Sequence, residues 1–421
     1  MNSETAFVLT ILVLCYAVVS GVVRRWCVAP ALIFVLFGLV LGRFGLGVIE
    51  EGARQETFTV LAQAALTVIL FNQASRIDLR ALFSRGRLTL RLLMIGMPVS
   101  VVLGTLTVVL LFPVLPFWEA VCLAVIVAPT EAALIDALLE DRQITEKVRH
   151  ALSTESGFYD GFALAALLAA LALASQQTHH QPGQWALFAI RTELVSLVAG
   201  AVIGVAGAFL ISRSAAREWI SDTWAQLATL ALALVCFWSG ERLHGSGFVA
   251  AFAGGLAYAA MSSTRGARPM TTQVSEAAGE LLELLVFALF GGFAVVPAWR
   301  DASWRVAVFA VSALIVVRVI AVAIALVGSG LSGCDRLFIG WFGPRGIGTL
   351  VLGVLVIDQG DIHQGALIRQ AVVLVVITSL VLHSLTAHAG IRLRHQQDAS
   401  LHTASTANAI SEEARNVPPQ P

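Results

Sequence analysis

Apolar runs of about 20 residues recur from one end of the chain to the other. That is the length an α-helix needs to cross roughly 30 Å of hydrocarbon. Thirteen such runs can be read, over residues 5–23, 28–47, 58–74, 88–112, 118–139, 148–174, 185–211, 222–240, 245–262, 279–298, 304–331, 336–357 and 365–388. An outer-membrane barrel would instead show alternating strands of about 10 residues. The expected fold is therefore an all-α polytopic membrane protein with about 13 transmembrane helices. The runs fill most of the 421 residues, and only 13% of the chain is charged, against about 25% in soluble domains. This excludes a soluble enzyme, a disordered protein and a membrane anchor carrying a large soluble domain. Residues 1–391 form the expected transmembrane domain. Residues 392–421, rich in Ser, Thr, Asn and Pro, read as a short disordered cytoplasmic tail.

The formal net charge is zero, and no basic patch outside the membrane points to nucleic acid. The cysteines Cys15, Cys27, Cys122, Cys236 and Cys334 show no paired spacing and read as single buried thiols. Glu4 precedes the first apolar run and Arg24-Arg25 follow it, which fits a first spanning helix rather than a cleaved signal peptide. With the N-terminus outside, 17 of the 27 basic residues fall on inward segments and 5 on outward ones. The bias favours N-outside, C-inside and an odd number of spans in a plasma membrane.

Two spans carry a break, the sequence sign of a transport site. The fifth contains Val127-Ala128-Pro129-Thr130-Glu131, and the twelfth contains Gly343-Pro344-Arg345-Gly346-Ile347-Gly348. Proline removes a backbone donor and clashes with the preceding turn. If the first helix is extra and two sets of six follow, the breaks fall fourth in one set and fifth in the other. The two sets then fail to correspond.

A charge at the bilayer centre costs about 2.5–3.5 kcal/mol. Glu131, Asp136, Glu155, Asp160, Glu283, Arg318 and Arg345 all lie in apolar spans, so each must pair, face water or bind an ion. The densest group is Ser153-Thr154-Glu155-Ser156-Gly157-Phe158-Tyr159-Asp160-Gly161. Ser156 and Asp160 stand at i,i+4 on one helix face, and Glu155 lies about 100° round from Ser156. Carboxylate and hydroxyl oxygens are the hard ligands that a dehydrated Na⁺ or Li⁺ requires. A carboxylate in a partly dry cavity can hold a proton or a cation but not both well, and that competition is the physical basis of exchange. The alternative is that these acids pair with arginines to hold helices together, with Arg318 the best partner for Glu155. Thr130 and Glu131 offer a hydroxyl and a carboxylate beside the Pro129 break, unless that Glu merely snorkels from a kink. Asp136 reads as interfacial, and Glu283 as either paired or functional. Arg345 reads as compensating helix-end carbonyls or acids. His179-His180 read as a solvated loop, while His244, His363, His383 and His388 near span ends are weak pH-sensing candidates.

The segments APTEAALIDALL (128–139), ESGFYDG (155–161) and GPRGIGTL (343–350) occur in order on this frame, with GSGFVAAFAGGLAY (245–258) between them. In these segments the chain resembles monovalent cation/proton antiporters of the NhaP/NHE type. The resemblance implies inverted six-helix repeats around two crossed, discontinuous helices, usually in a homodimer, working by alternating access. It implies a cation held by Thr130, Glu131, Glu155, Ser156 and Asp160, with Asp160 exchanging cation for proton. It also implies that Arg318 pairs with Glu155. Glu131 stands where that family usually has Asp, and Tyr159 where it has Asn. Tyr is neutral and keeps the charge count, which implies electroneutral exchange.

The expected activity is Na⁺ (or Li⁺)/H⁺ exchange, with no cofactor and no enzymatic chemistry, since no nucleophile–base or metal-ligand constellation is present. K⁺/H⁺ exchange is the alternative within transport. A non-transporting sensor that kept the fold, motivated by Glu131 and Tyr159, is the alternative from another class.

Overall fold

The computed structural model describes residues 3–26, 28–48, 54–77, 86–139, 144–178, 182–264, 272–358, 362–387 and 390. The tail 392–421, His179-His180, His388, Cys27, the side chain of Asp136 and several counted arginines, among them Arg80, Arg85, Arg265 and Arg268, lie outside the described residues.

Helices account for nearly all of these residues, with no strand among them. They are α1 (Ser3–Arg25), α2 (Pro30–Leu41), α3 (Arg54–Ser75), α4 (Arg87–Leu111), the broken α5, α6 (Glu146–Thr178), α7 (Pro182–Ala216), α8 (Asp222–Arg242), α9 (Gly247–Thr264), α10a (Gln273–Phe293) with a short continuation α10b (Val295–Arg300), α11 (Trp304–Ala325), the broken α12, and α13 (Gly365–Ala387). The fifth span runs as α5a (Phe117–Val127), a 3₁₀ turn at Ala132–Ile135 and the single-turn α5b (Asp136–Leu139). The twelfth runs as α12a (Gly333–Trp341) and α12b (Ile347–Asp358).

Eight described helices are long and apolar enough to cross a membrane: α1, α3, α4, α6, α7, α8, α11 and α13. The apolar helices α2, α5a, α9 and α12b are shorter. At 12 residues, α2 reaches only about 18 Å. Helix α10a carries Glu276, Glu280 and Glu283 within 21 residues and so is less apolar than the sequence reading of its span. Of the thirteen expected crossings, the fifth and twelfth are broken, the tenth is divided at Ala294, and eight contain a described helix long and apolar enough to cross.

Local features recur seven spans apart, not six. The breaks occupy α5 and α12, one π-helical turn interrupts α4 at Leu92–Gly96 and another interrupts α11 at Ser312–Val317, and α2 and α9 are both short. Packing repeats in the same way, with α2 against α10a and α9 against α3. In an up-and-down series an odd offset reverses direction. The halves are thus α1–α6 and α8–α13, inverted, with α7 between them. The misfit found in the sequence comes from treating the first helix as the extra one.

Glycines set several of the close approaches. A Cβ on Gly38 or Gly42 would overlap the backbone of Ala288 or Gly292 on α10a. Small residues let helix backbones approach in this way, where lipid supplies no hydrophobic drive between helices. Gly38→Val should therefore force α2 off α10a, at a cost of about 1–3 kcal/mol, read as a lower thermal midpoint in detergent. Gly21→Val, where an added Cβ meets no atom within 4 Å, should leave the midpoint unchanged. An equal fall in both variants would overturn this account. Of the described cysteines, Cys122 and Cys236 are buried, whereas Cys15 and Cys334 are exposed. The latter pair corrects the expectation of buried thiols: both sit on outer helix faces.

Candidate functional site

The site is built where the two breaks meet. Helix α5a stops at Val127, and Pro129 supplies no N–H to continue it. The free Val127 carbonyl accepts from Arg345 Nε at 2.5 Å, and Arg345 also donates to the Gly343 carbonyl. Arg345 therefore compensates helix-end carbonyls. The N–H of Glu131 donates to the Pro344 carbonyl at 2.8 Å, tying one break directly to the other.

Helix α12b begins at Ile347, and its first N–H groups have no partner within the helix. Ile347 N–H donates to Glu131 Oε2 at 2.6 Å, so a carboxylate caps the positive end of a helix dipole. Glu131 Oε1 is buried and has no partner among the described residues. Each glycine of the Gly343-Pro344-Arg345-Gly346-Ile347-Gly348 segment clears room for a particular side chain. A Cβ would stand 2.7 Å from Arg318 Nε and 2.9 Å from Thr130 Cγ2 at Gly343, would overlap Glu131 Oε2 at Gly346, and would stand 2.5 Å from Asp160 Oδ1 at Gly348.

Helix α6 supplies the rest. Arg318 of α11 donates to both Glu155 oxygens, at 2.6 and 3.0 Å, with the two side chains 1% and 0% exposed. This bidentate pair uses Glu155 in charge pairing. Ser156 Oγ accepts the Ala132 N–H at 3.0 Å and so caps the turn after the first break. Tyr159, fully buried, stands with its ring centre 5.9 Å from the Arg318 guanidinium carbon. Asp160 is 4% exposed and has no hydrogen-bonding or ion-pair partner among the described residues. The first turn of α12b therefore faces two carboxylates, Glu131 and Asp160. Around the breaks, three acids (Glu131, Glu155, Asp160) stand against two arginines (Arg318, Arg345).

A cavity of about 1610 Å³ reaches Glu131, Ser156 and Gly157. Its lining also includes Arg76, Glu146, Lys147 and His150, all exposed to solvent. Asp160 is not part of that lining. One residue further along α6, a Cβ on Gly161 would meet the Phe252 ring of α9 at 2.7 Å, so an aromatic ring packs directly on the helix beside Asp160. Glu283 lines the same cavity and is 6% exposed.

Two residues, Glu119 and Ser379, escaped sequence reasoning. Glu119, 2% exposed, accepts from the backbone N–H of His363 at 2.8 Å and of Gln364 at 3.1 Å. It ties the start of α5a to the start of α13, and the only signal for it was an acid at a span edge. Ser379 and His383 of α13 bond to the α12 break; no local pattern marks Ser379, and His383 read only as a weak pH-sensing candidate near a span end.

A family model described as "Sodium/hydrogen exchanger, transmembrane" matches residues 8–390. Among solved structures, the sodium proton antiporter MjNhaP1 from Methanocaldococcus jannaschii at pH 8 is 17% identical, with a TM-score of 0.74, covering 91% of this chain and 100% of that chain. A map of the same antiporter by electron microscopy gives 18% identity and a TM-score of 0.73, over 93% of this chain and 98% of that one. At this identity the likeness is one of fold.

Proposed function

The chain belongs to the sodium/hydrogen exchanger family, a family of membrane transporters, and on that premise we propose that it exchanges Na⁺ or Li⁺ for H⁺, one for one, by alternating access. The observation that carries this reading is the pair of carboxylates at the first turn of α12b, one of them at the end of a water-accessible cavity. Glu131, Asp160, the Ser156 hydroxyl and the Thr130 region supply the hard oxygen ligands. Asp160, held by no protein donor among the described residues, takes the cation or the proton in turn. Glu155 contributes through Arg318, whose pairing leaves Asp160 and Glu131 as the acids that respond to the ion.

The charge balance supports one-for-one exchange. With Glu155 offset by Arg318 and one further carboxylate offset by Arg345, a single negative charge remains for one Na⁺ or one H⁺. The excess of Lys and Arg on alternate segments supports N-outside, C-inside insertion in the plasma membrane. The cavity mouth, with Arg76 and Lys147, then faces the cytoplasm, and Phe252 on Gly161 belongs to the closed outer barrier. Residues 1–391 form the transporting unit, with 392–421 a cytoplasmic tail, and the chain works as a homodimer.

The test is an ion panel on purified protein in proteoliposomes under an imposed pH gradient. Na⁺ and Li⁺ should each drive proton movement, with K⁺ much weaker. Activation by K⁺ alone would replace the proposed substrate, and no response to any of the three would favour a non-transporting sensor.

A further inference from the structure

Helix α13 grips the broken α12 at three points. Trp341, the last residue of α12a, donates from its indole Nε1 to Thr386 Oγ1 at 3.1 Å. The Trp341 carbonyl accepts the Gly343 N–H at 3.0 Å and also lies 2.9 Å from His383 Nε2. Inside the break, the Arg345 N–H donates to Ser379 Oγ at 2.7 Å. Ser379 and His383 are 0% and 4% exposed, so water cannot substitute for these bonds.

Both ring nitrogens of His383 face backbone carbonyls. Nε2 faces the Trp341 carbonyl and Nδ1 the Ser379 carbonyl, and a carbonyl oxygen can only accept, so a neutral ring donates to one of them and a charged ring to both. Nδ1 lies 3.2 Å from Ser379 Oγ and 2.8 Å from the Ser379 carbonyl. In the neutral ring Nδ1 either accepts a hydrogen bond from the Ser379 hydroxyl, with the proton on Nε2, or donates to the Ser379 carbonyl, with the proton on Nδ1. In the charged ring it donates to the carbonyl. The charged groups facing it are Arg345 in the break and Arg318 of α11.

We propose that Ser379 and His383 are positioning residues: they fix the α12 break in the register at which Ile347 N–H caps Glu131 and Gly348 faces Asp160. Arg345 is two residues before Ile347, so a slip at its amide moves both carboxylates relative to α12b. The idea rests on the antiport reading for its transport readout only.

Two measurements test it on the full-length protein. Hydrogen–deuterium exchange of a peptide spanning 342–348 should speed up several-fold to about tenfold in Ser379→Ala and His383→Leu, as each removes one buried bond. In proteoliposomes, Ser379→Ala should raise the apparent KM for Na⁺ about tenfold while leaving kcat within about twofold. His383→Gln, which keeps an N–H within reach of Trp341, should recover most of what His383→Leu loses. Unchanged break exchange and unchanged KM in Ser379→Ala would overturn the proposal, as would a His383→Gln protein no better than His383→Leu. If His383→Leu fails to fold, Ser379→Ala against Ser379→Thr decides. If the wild-type protein moves no ion, the antiport reading fails, and protection of the break alone decides the positioning claim.

Discussion

Asp160→Asn should abolish Na⁺-dependent proton movement in proteoliposomes while leaving the protein folded and extractable. Asn keeps the size of the side chain but removes the charge that binds a cation and the group that holds a proton. A bond to a charged group is worth up to about 3 kcal/mol, and each 1.4 kcal/mol is tenfold, so cation affinity should fall about 100-fold or more. Folding should survive because Asp160 makes no bond to a described protein group that its loss would orphan. Glu131→Gln should behave differently. It keeps an oxygen to accept from Ile347 N–H, now held at 2.6 Å by Oε2, and so should weaken transport less than Asp160→Asn. In the wild type, competition for one carboxylate should make the apparent KM for Na⁺ rise as pH falls, with kcat little changed. Exchange by Asp160→Asn at the wild-type rate would remove Asp160 from the proposed mechanism.

Much of this site was legible before the structure, for a physical reason. Charge is costly in hydrocarbon, so Glu131, Glu155, Asp160, Arg318 and Arg345 stood out against apolar surroundings. Pro129 and Pro344 likewise stood out because a proline interrupts the helix ladder. Pairing was less visible. Glu155 read first as a cation ligand, with pairing to Arg318 as the alternative, and only the geometry shows both of its oxygens occupied by the guanidinium. The repeat offset was misread because hydropathy marks where helices lie but not which helix of one half matches which of the other. The π-turns in α4 and α11 leave no hydropathy signal at all. Glu119 was passed over, since its partners are the backbone amides of a helix start more than 240 residues away. His383 looked like one weak histidine among several, because the carbonyl it faces belongs to another helix.

Arg318→Leu should destabilise the protein more than any other single change considered. The variant leaves Glu155, 0% exposed, as a buried carboxylate stripped of both bonds that hold its charge. Breaking a buried pair by removing one member costs about 3–5 kcal/mol. In a membrane protein the loss should appear as a lower thermal midpoint in detergent and a smaller folded fraction. The pair itself need not be strongly stabilising, because desolvating two ions offsets much of their attraction. Replacing both members, as in Glu155→Leu with Arg318→Leu, should therefore recover most of the midpoint lost by Arg318→Leu alone. Transport separates the two roles. If Arg318 and Glu155 only hold α6 to α11, the folded double variant should exchange ions nearly as the wild type does. If the pair also sets the field at the ion site, the double variant keeps its charge count but loses an oriented dipole next to Tyr159, and its apparent KM for Na⁺ should rise. A wild-type midpoint for Arg318→Leu would show that Glu155 finds another donor, and the pair could then no longer be counted among the contacts that fix α6 against α11.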